Sequence, residues 1–210
     1  MNVRQTQPGK IPFYRYTPNG AQHVYLLTPE SLFSKQVFAK TETMEPLKAY
    51  TCQNSDFIDR VDVICPKCHK KALVIGVSAN ASLEEQEEQV RFACHSCGYS
   101  LKLANTPKTL FYRTSRGKSV YGRVLHLNAP IDPFFGFNVW YQIDCAHGLL
   151  WAYNAAHLSV IESYIKDKLR TRSNIFHMNR SIASRLPRWI GIAKNREYLL
   201  KLIERAKNKV

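Results

Sequence analysis

Apolar residues follow a β-like pattern through most of the first 153 positions of this chain, and a spacing of three and four beyond them. "RVDVI" and "KALVIG" are β-prone runs, and "QVRFA" and "YSLKLA" alternate with period two. Together they predict the arms of two hairpins. Upstream, residues 1–60 mix short apolar stretches ("IPFYRY", "HVYLL", "SLFSKQVF") with turn signals at "TPNG" and "TPES", a mixture that predicts irregular β structure. Downstream, "TLFYRT", "SVYGRVLHL" and "FNVWYQIDC" continue the β pattern, broken at "TSRGKS" and "APIDPFFG". Between the hairpins, "SANASLEEQEEQ" is acidic and polar, and reads as a solvated loop or a brief helical turn.

After residue 153 the period changes. Asn154 is placed to cap a helix whose apolar stripe is Leu158, Ile161, Ile165 and Leu169, with Glu162 and Lys166 one turn apart on its outer side. A polar break at "TRSN" precedes a short helix through "RSIASRL", which Pro187 resets. A final helix runs from Asn195 with Leu199, Leu202, Ile203 and Ala206 inward. The expected architecture is α+β, in four segments: β-rich 1–60, a cysteine-bearing 61–103, β-rich 104–153 and helical 154–210.

Composition supports a folded chain, with 45% hydrophobic residues among 210. The opening "MNVRQTQPGK" lacks the apolar core of a secretory signal, and no apolar run is long enough to cross a bilayer. The expected compartment is the cytoplasm, with no membrane partner. Charge sharpens this picture. The formal net charge is +14, and residues 166–210 carry +10 of it. An anionic polymer is the most economical partner for such a tail.

Six cysteines are present, and four form two Cys-x-x-Cys pairs, Cys65 with Cys68 and Cys94 with Cys97. In a reducing compartment such pairs read first as metal ligands. A two-residue spacer lets both sulfurs of a tight turn face one way, and two such turns supply the tetrahedral thiolate set that zinc prefers. With four protein ligands the set is closed, so one structural zinc is expected and no catalytic role for it. Pro66 presets its backbone angle and Gly98 can take positive φ, both suited to a metal-binding knuckle. A redox dithiol would want a pair at a helix N-terminus after a strand, which is not the pattern here. An iron–sulfur cluster also uses four thiolates and stays open as an alternative.

"CPKC" followed by "CHSCG", each inside a β-hairpin, resembles the zinc ribbon of transcription factor IIB, RNA polymerase subunits and many bacterial DNA-handling proteins. The resemblance covers residues 61–103 and is specific for metal and local fold, not for activity. The gap between the pairs is long for a compact ribbon, and the acidic insertion, which can be cut without losing the metal site, accounts for it. The C-terminal run from "WAYNAAHLSV" to "RWIGIAKNRE" is similar to uncharacterised bacterial proteins that carry such a ribbon, which implies a bacterial source and no particular reaction.

Other chemistry is thinner. Cys52, Cys145 and His147 could form a second metal site, although lone cysteines are commonly small buried hydrophobes. A metal-dependent nuclease would need clustered carboxylates, and its candidates Asp132, Asp144 and Glu162 sit in separate segments. A Cys145 nucleophile with His147 or His157 competes with the plainer reading of both histidines as surface residues. "TSRGKS" lacks the glycine spacing of a phosphate-binding loop. The nucleic-acid reading is better provided: Arg180, Arg185, Arg188, Lys194 and Arg196 crowd the stretch around Pro187, and Lys67, Lys70 and Lys71 flank the first knuckle. Those lysines either contact phosphate or balance the charge of about −2 that four thiolates leave on zinc. Trp189 suits core packing better than base stacking.

The expected function is non-catalytic nucleic-acid binding, DNA ahead of RNA. The alternatives are an adaptor that binds a partner protein through the ribbon and the aromatic-rich stretches "FYRY" and "PFFGFNVWYQ", and, further off, a metal-dependent hydrolase.

Overall fold

The structure, a computed structural model, describes residues 47–167 and 180–209, all within a compact unit that begins at residue 46. The strands expected in residues 1–46, the break at "TRSN" and the inward Leu169 lie outside the described residues.

Four strands, β1 (Arg60–Ile64), β2 (Lys71–Ile75), β3 (Arg91–Ala93) and β4 (Ser100–Lys102), form an antiparallel meander in that order. The register sets Val61 opposite Val74, Val74 opposite Phe92, and Phe92 opposite Leu101. Because side chains alternate across a strand, these four lie on one face, and three of them are buried. Both Cys-x-x-Cys turns join neighbouring strands of this sheet, β1 to β2 and β3 to β4.

The acidic insertion is a helix, α1 (Leu83–Gln89), started by a capping box: Ser82 Oγ accepts from the Glu85 N–H at 3.2 Å, and Glu85 returns the bond to the Ser82 N–H at 2.9 Å. Of the loop and the helical turn expected here, the helix is the one formed. Glu87 binds both Arg123, at 3.0 Å, and Lys108, at 2.9 Å. Arg123 also donates to Thr106 Oγ1 and to the Thr106 carbonyl, so its side chain is almost fully enclosed.

Two separate hairpins follow, β5 (Thr109–Arg113) with β6 (Ser119–Gly122), and β7 (Tyr141–Cys145) with β8 (Gly148–Ala152). The chain entering β7 covers the outer edge of β1: Ile64 N–H donates to the Asn138 carbonyl and Trp140 N–H to the Asp62 carbonyl, each at 2.8 Å. Asp62 N–H in turn donates to the Tyr153 carbonyl. The ribbon sheet is thereby stitched to the body by backbone hydrogen bonds, and no open edge remains there for another strand.

Three helices complete the unit. In α2 (Ala155–Lys166) Asn154 Oδ1 accepts from the His157 N–H at 2.9 Å, and its amide donates to the carbonyls of Phe57 and Arg60. The cap thus closes the helix and fixes it to the chain entering β1. Leu158, Ile161 and Ile165 are fully buried, as their spacing predicts. The short α3 (Ile182–Arg185) starts at Ser181 and stops before Pro187. In α4 (Arg196–Lys207), Leu199 and Ile203 pack inward and the helix lies against α2. One apolar cluster runs through all of this, from Ala49 and Val63 to Ile161 and Ile203. No helix among the described residues is long and apolar enough to cross a membrane.

Candidate metal centre

The sheet register brings the two cysteine turns together at one end of β1–β4. Sγ of Cys65 lies 3.7 Å from that of Cys97, and Sγ of Cys68 lies 3.5 Å from that of Cys94. All four sulfurs fall within 4.8 Å of one another. Sulfurs about 2.3 Å from a tetrahedral zinc would be separated by about 3.8 Å. A disulfide would need about 2.05 Å, and none of the four is in one. The cluster has the donor set and spacing to hold a metal ion, as a zinc-ribbon-like site does. Among the described residues it is the one group of three or more candidate ligands.

The two turns are built alike. Cys65 N–H donates to the Lys70 carbonyl and His69 N–H to the Cys65 carbonyl; Cys94 N–H donates to the Tyr99 carbonyl and Gly98 N–H to the Cys94 carbonyl. At the residue after the second cysteine each turn enters the left-handed region, at φ 57° for His69 and 71° for Gly98. The glycine is readable from the sequence. Its partner is not, because a histidine there carries no turn signal and only the second knuckle reveals its role.

Two of the thiols, Cys94 and Cys68, are pulled in opposite directions by their surroundings. Burial opposes ionisation of Cys94, but the backbone N–H groups of Cys97 and Ser96 and the Cys68 thiol outweigh it and lower its pKa to about 7. At Cys68 the Lys70 N–H favours the thiolate, yet burial and the other three sulfurs prevail and push the pKa up to about 12. A divalent ion resolves the conflict by taking all four as thiolates.

Aromatic side chains back the cage. Phe92, two residues before Cys94, has Phe137 at 5.0 Å and Tyr99 at 5.5 Å, and Phe135 stacks on Phe137 at 5.6 Å. The loop that presents these phenylalanines is organised by Asp132. Its carboxylate is fully buried and accepts from the N–H groups of Phe134, Phe135 and Phe137 at 3.0, 2.8 and 2.6 Å. Burial raises the Asp132 pKa, and those N–H bonds offset part of the rise. Asp132 therefore organises a loop; Asp144 is exposed on β7, and Glu162 pairs with Lys166 and Lys207. The structure does not gather the three carboxylates.

The other candidates are also dispersed. Cys52 is buried near the start of the unit, with its thiol 4.0 Å from Thr51 Oγ1. Cys145 donates to the Ile143 carbonyl at 3.4 Å, and His147 is exposed in the β7–β8 turn, 6.1 Å from the ring of Trp189. Trp189 is half-buried and packs on Gly148 of that turn. His157 departs from the surface reading. It is 1% exposed, stacks on Phe57 at 4.9 Å, and its Nδ1 accepts from the Tyr153 N–H. Burial lowers its pKa to about 4.

The basic residues divide into two groups. Lys67 lies 4.0 Å over the ring of Tyr99, and Lys71 binds Asp62 at 3.1 Å, so both are engaged beside the knuckle, whereas Lys70 is exposed. Arg196 donates to the carbonyls of Ile165 and Asp167 and caps the C-terminus of α2. Arg180, Arg185, Arg188 and Lys194 are exposed and form no ion pair with another described residue. Arg180 and Arg185 line a cleft of about 490 Å³ with Gln53, Asn54, Asn128 and Asp56, whose carboxylate accepts from the Gln53 N–H.

No protein-family model matches the chain, and no curated protein or solved structure matches it at a significant level.

Proposed function

We propose that the protein binds nucleic acid without transforming it, with one structural zinc on Cys65, Cys68, Cys94 and Cys97 holding the sheet and a basic helical surface contacting phosphates. The observation that carries this reading is the combination of a closed four-sulfur cage with exposed arginines that have no carboxylate ion-pair partner among the described residues. Four protein ligands fill a tetrahedral ion and leave no position for substrate. Guanidinium and amide donors in the Arg180–Arg185 cleft suit phosphate oxygens, and Arg188, Lys194 and Lys70 extend the positive surface. The expected polymer is DNA ahead of RNA.

Salt-titrated binding of labelled DNA and RNA tests the reading. Association at low salt should weaken as salt rises, and Arg180→Gln with Arg185→Gln and Arg188→Gln should reduce the log–log slope by about 0.7–0.9 for each phosphate contact removed. Absence of binding at low salt, or binding indifferent to salt, defeats it. A stoichiometric protein partner that survives nuclease treatment and high salt would favour an adaptor instead. A second, open metal site found by metal analysis would favour a hydrolase.

A further inference from the structure

Hairpin β5–β6 is used neither by the metal centre nor by the helical surface. Every residue of β5 is exposed. Leu110, Phe111, Tyr112 and Tyr121 are 43%, 52%, 59% and 54% exposed, so the ribbon buries neither face as a core. An isolated two-stranded ribbon is marginally stable in water, and exposed aromatic side chains of this kind mark a contact surface.

Its charge identifies the contact. Residues 104–131 contain Lys108, Arg113, Arg116, Lys118 and Arg123 and not one Asp or Glu. Lys108 and Arg123, at the root, are held by Glu87 of α1. Arg113, Arg116 and Lys118, towards the tip, form no ion pair with another described residue. The tip turn is ordered by its own bonds: Thr114 N–H donates to the Lys118 carbonyl at 2.8 Å, and Gly117 takes φ 78°. Root and tip are thus fixed, and the aromatic residues stand between them.

The register arranges those rings. Leu110 faces Tyr121 and Tyr112 faces Val120, with Phe111 the extra residue of a bulge, so alternation along β6 sets Tyr121 on one face and Tyr112 on the other. The Phe111 ring rests against Gly122, where a Cβ would collide with it, so the ring is backed by the partner strand while half its surface stays open.

We propose that hairpin β5–β6 is a stacking platform for single-stranded nucleic acid, with Phe111 and Tyr112 receiving bases and Arg113, Arg116 and Lys118 the adjoining phosphates. The inference rests on the nucleic-acid reading above and narrows it to unpaired strands. An acid-free ribbon complements a polyanion. Exposed rings select unpaired bases, because in a duplex both faces of each base are already covered by its neighbours.

The test compares labelled oligothymidylate with a duplex of equal length on the full zinc-loaded chain. The variants are a leucine set (Phe111→Leu, Tyr112→Leu), a glutamine set (Arg113→Gln, Arg116→Gln, Lys118→Gln), and Arg180→Gln with Arg185→Gln. Tighter binding of the single strand is expected. The leucine set should weaken it by roughly tenfold or more, and the glutamine set should lower its salt slope by about two. Equal or tighter binding of the duplex overturns the inference. So does full affinity in the leucine set; if the arginine pair then loses binding, the broader reading survives. No binding of either polymer removes both. As a check independent of variant folding, photocrosslinking of bromouridine-substituted single strand to the wild-type chain should label Phe111 or Tyr112. Crosslinks found only elsewhere refute the platform.

Discussion

The matched pair Gly98 and His69, and the buried His157, occupy positions whose cost is set by backbone or burial, and each gives a sharp prediction. Gly98 holds φ 71° with nothing within 4 Å of where a Cβ would sit. Gly98→Ala should therefore cost about 1 kcal/mol through conformation and not through a clash. His69→Gly, at the matching position of the other knuckle, should leave the melting midpoint unchanged or raised, since it relieves the same strain. Thermal melts of the zinc-saturated variants decide both. His157 is the second case. Its pKa is lowered from 6.5 to about 4 by burial, so the unfolded chain takes up a proton before the folded one does. The stability it contributes is fully present above about pH 6.5 and is lost as pH falls towards 4, by about 3 kcal/mol in total. Denaturant melts across that window should show His157→Gln with the shallower fall. An equal fall in both proteins would assign the acid sensitivity elsewhere.

At the scale of elements, the helical pair α2–α4 is closed by charge as well as by apolar contact. Arg196, at the start of α4, caps the last turn of α2, and Lys207, near the end of α4, reaches Glu162 on α2 at 2.7 Å. Glu162 carries a lowered pKa: burial opposes ionisation, and Lys207 and Lys166 outweigh it. Arg196 was one of five basic residues whose clustering around Pro187 suggested phosphate contact, and its partners point to a structural task. Arg196→Gln is expected to destabilise by about 1–2 kcal/mol, because two carbonyls at a helix C-terminus lose a charged donor. The slope of nucleic-acid binding with salt should not change. A reduced slope with unaltered stability would return Arg196 to the binding surface. Helix α1 likewise has a structural task, since its Glu87 supplies the carboxylate that enfolds Arg123.

For the molecule as a whole, the cage and the body share strand β1. Its inner edge pairs with β2, which leads back to the knuckle, and its outer edge bonds to Asn138, Trp140 and Tyr153. Removing the metal should therefore loosen more than the ribbon. Structural zinc sites contribute on the order of 10 kcal/mol to folding, and Cys65→Ser or chelation should abolish zinc binding. The amides of Asp62, Ile64 and Trp140 should then exchange together with those of β2, as read by hydrogen exchange. Retention of zinc and of the melting midpoint in Cys65→Ser would break the assignment of the ligands.

Local chemistry written in single residues was legible from the chain: the Cys-x-x-Cys turns and their flanking strands, the Asn154 cap, the Leu158–Ile161–Ile165 stripe, the stop before Pro187. Each depends on neighbours a few positions away, where backbone geometry leaves few choices. Tertiary structure decided what depends on distant partners: that His69 matches Gly98, that His157 is enclosed by Phe57, that Asp132 gathers three N–H groups to set phenylalanines behind the cage, and that Arg196 faces a helix end. It also left β5–β6 uncovered. Burial is a property of what packs over a residue, so "TLFYRT" could be recognised as a strand, but not as one that keeps its rings in water.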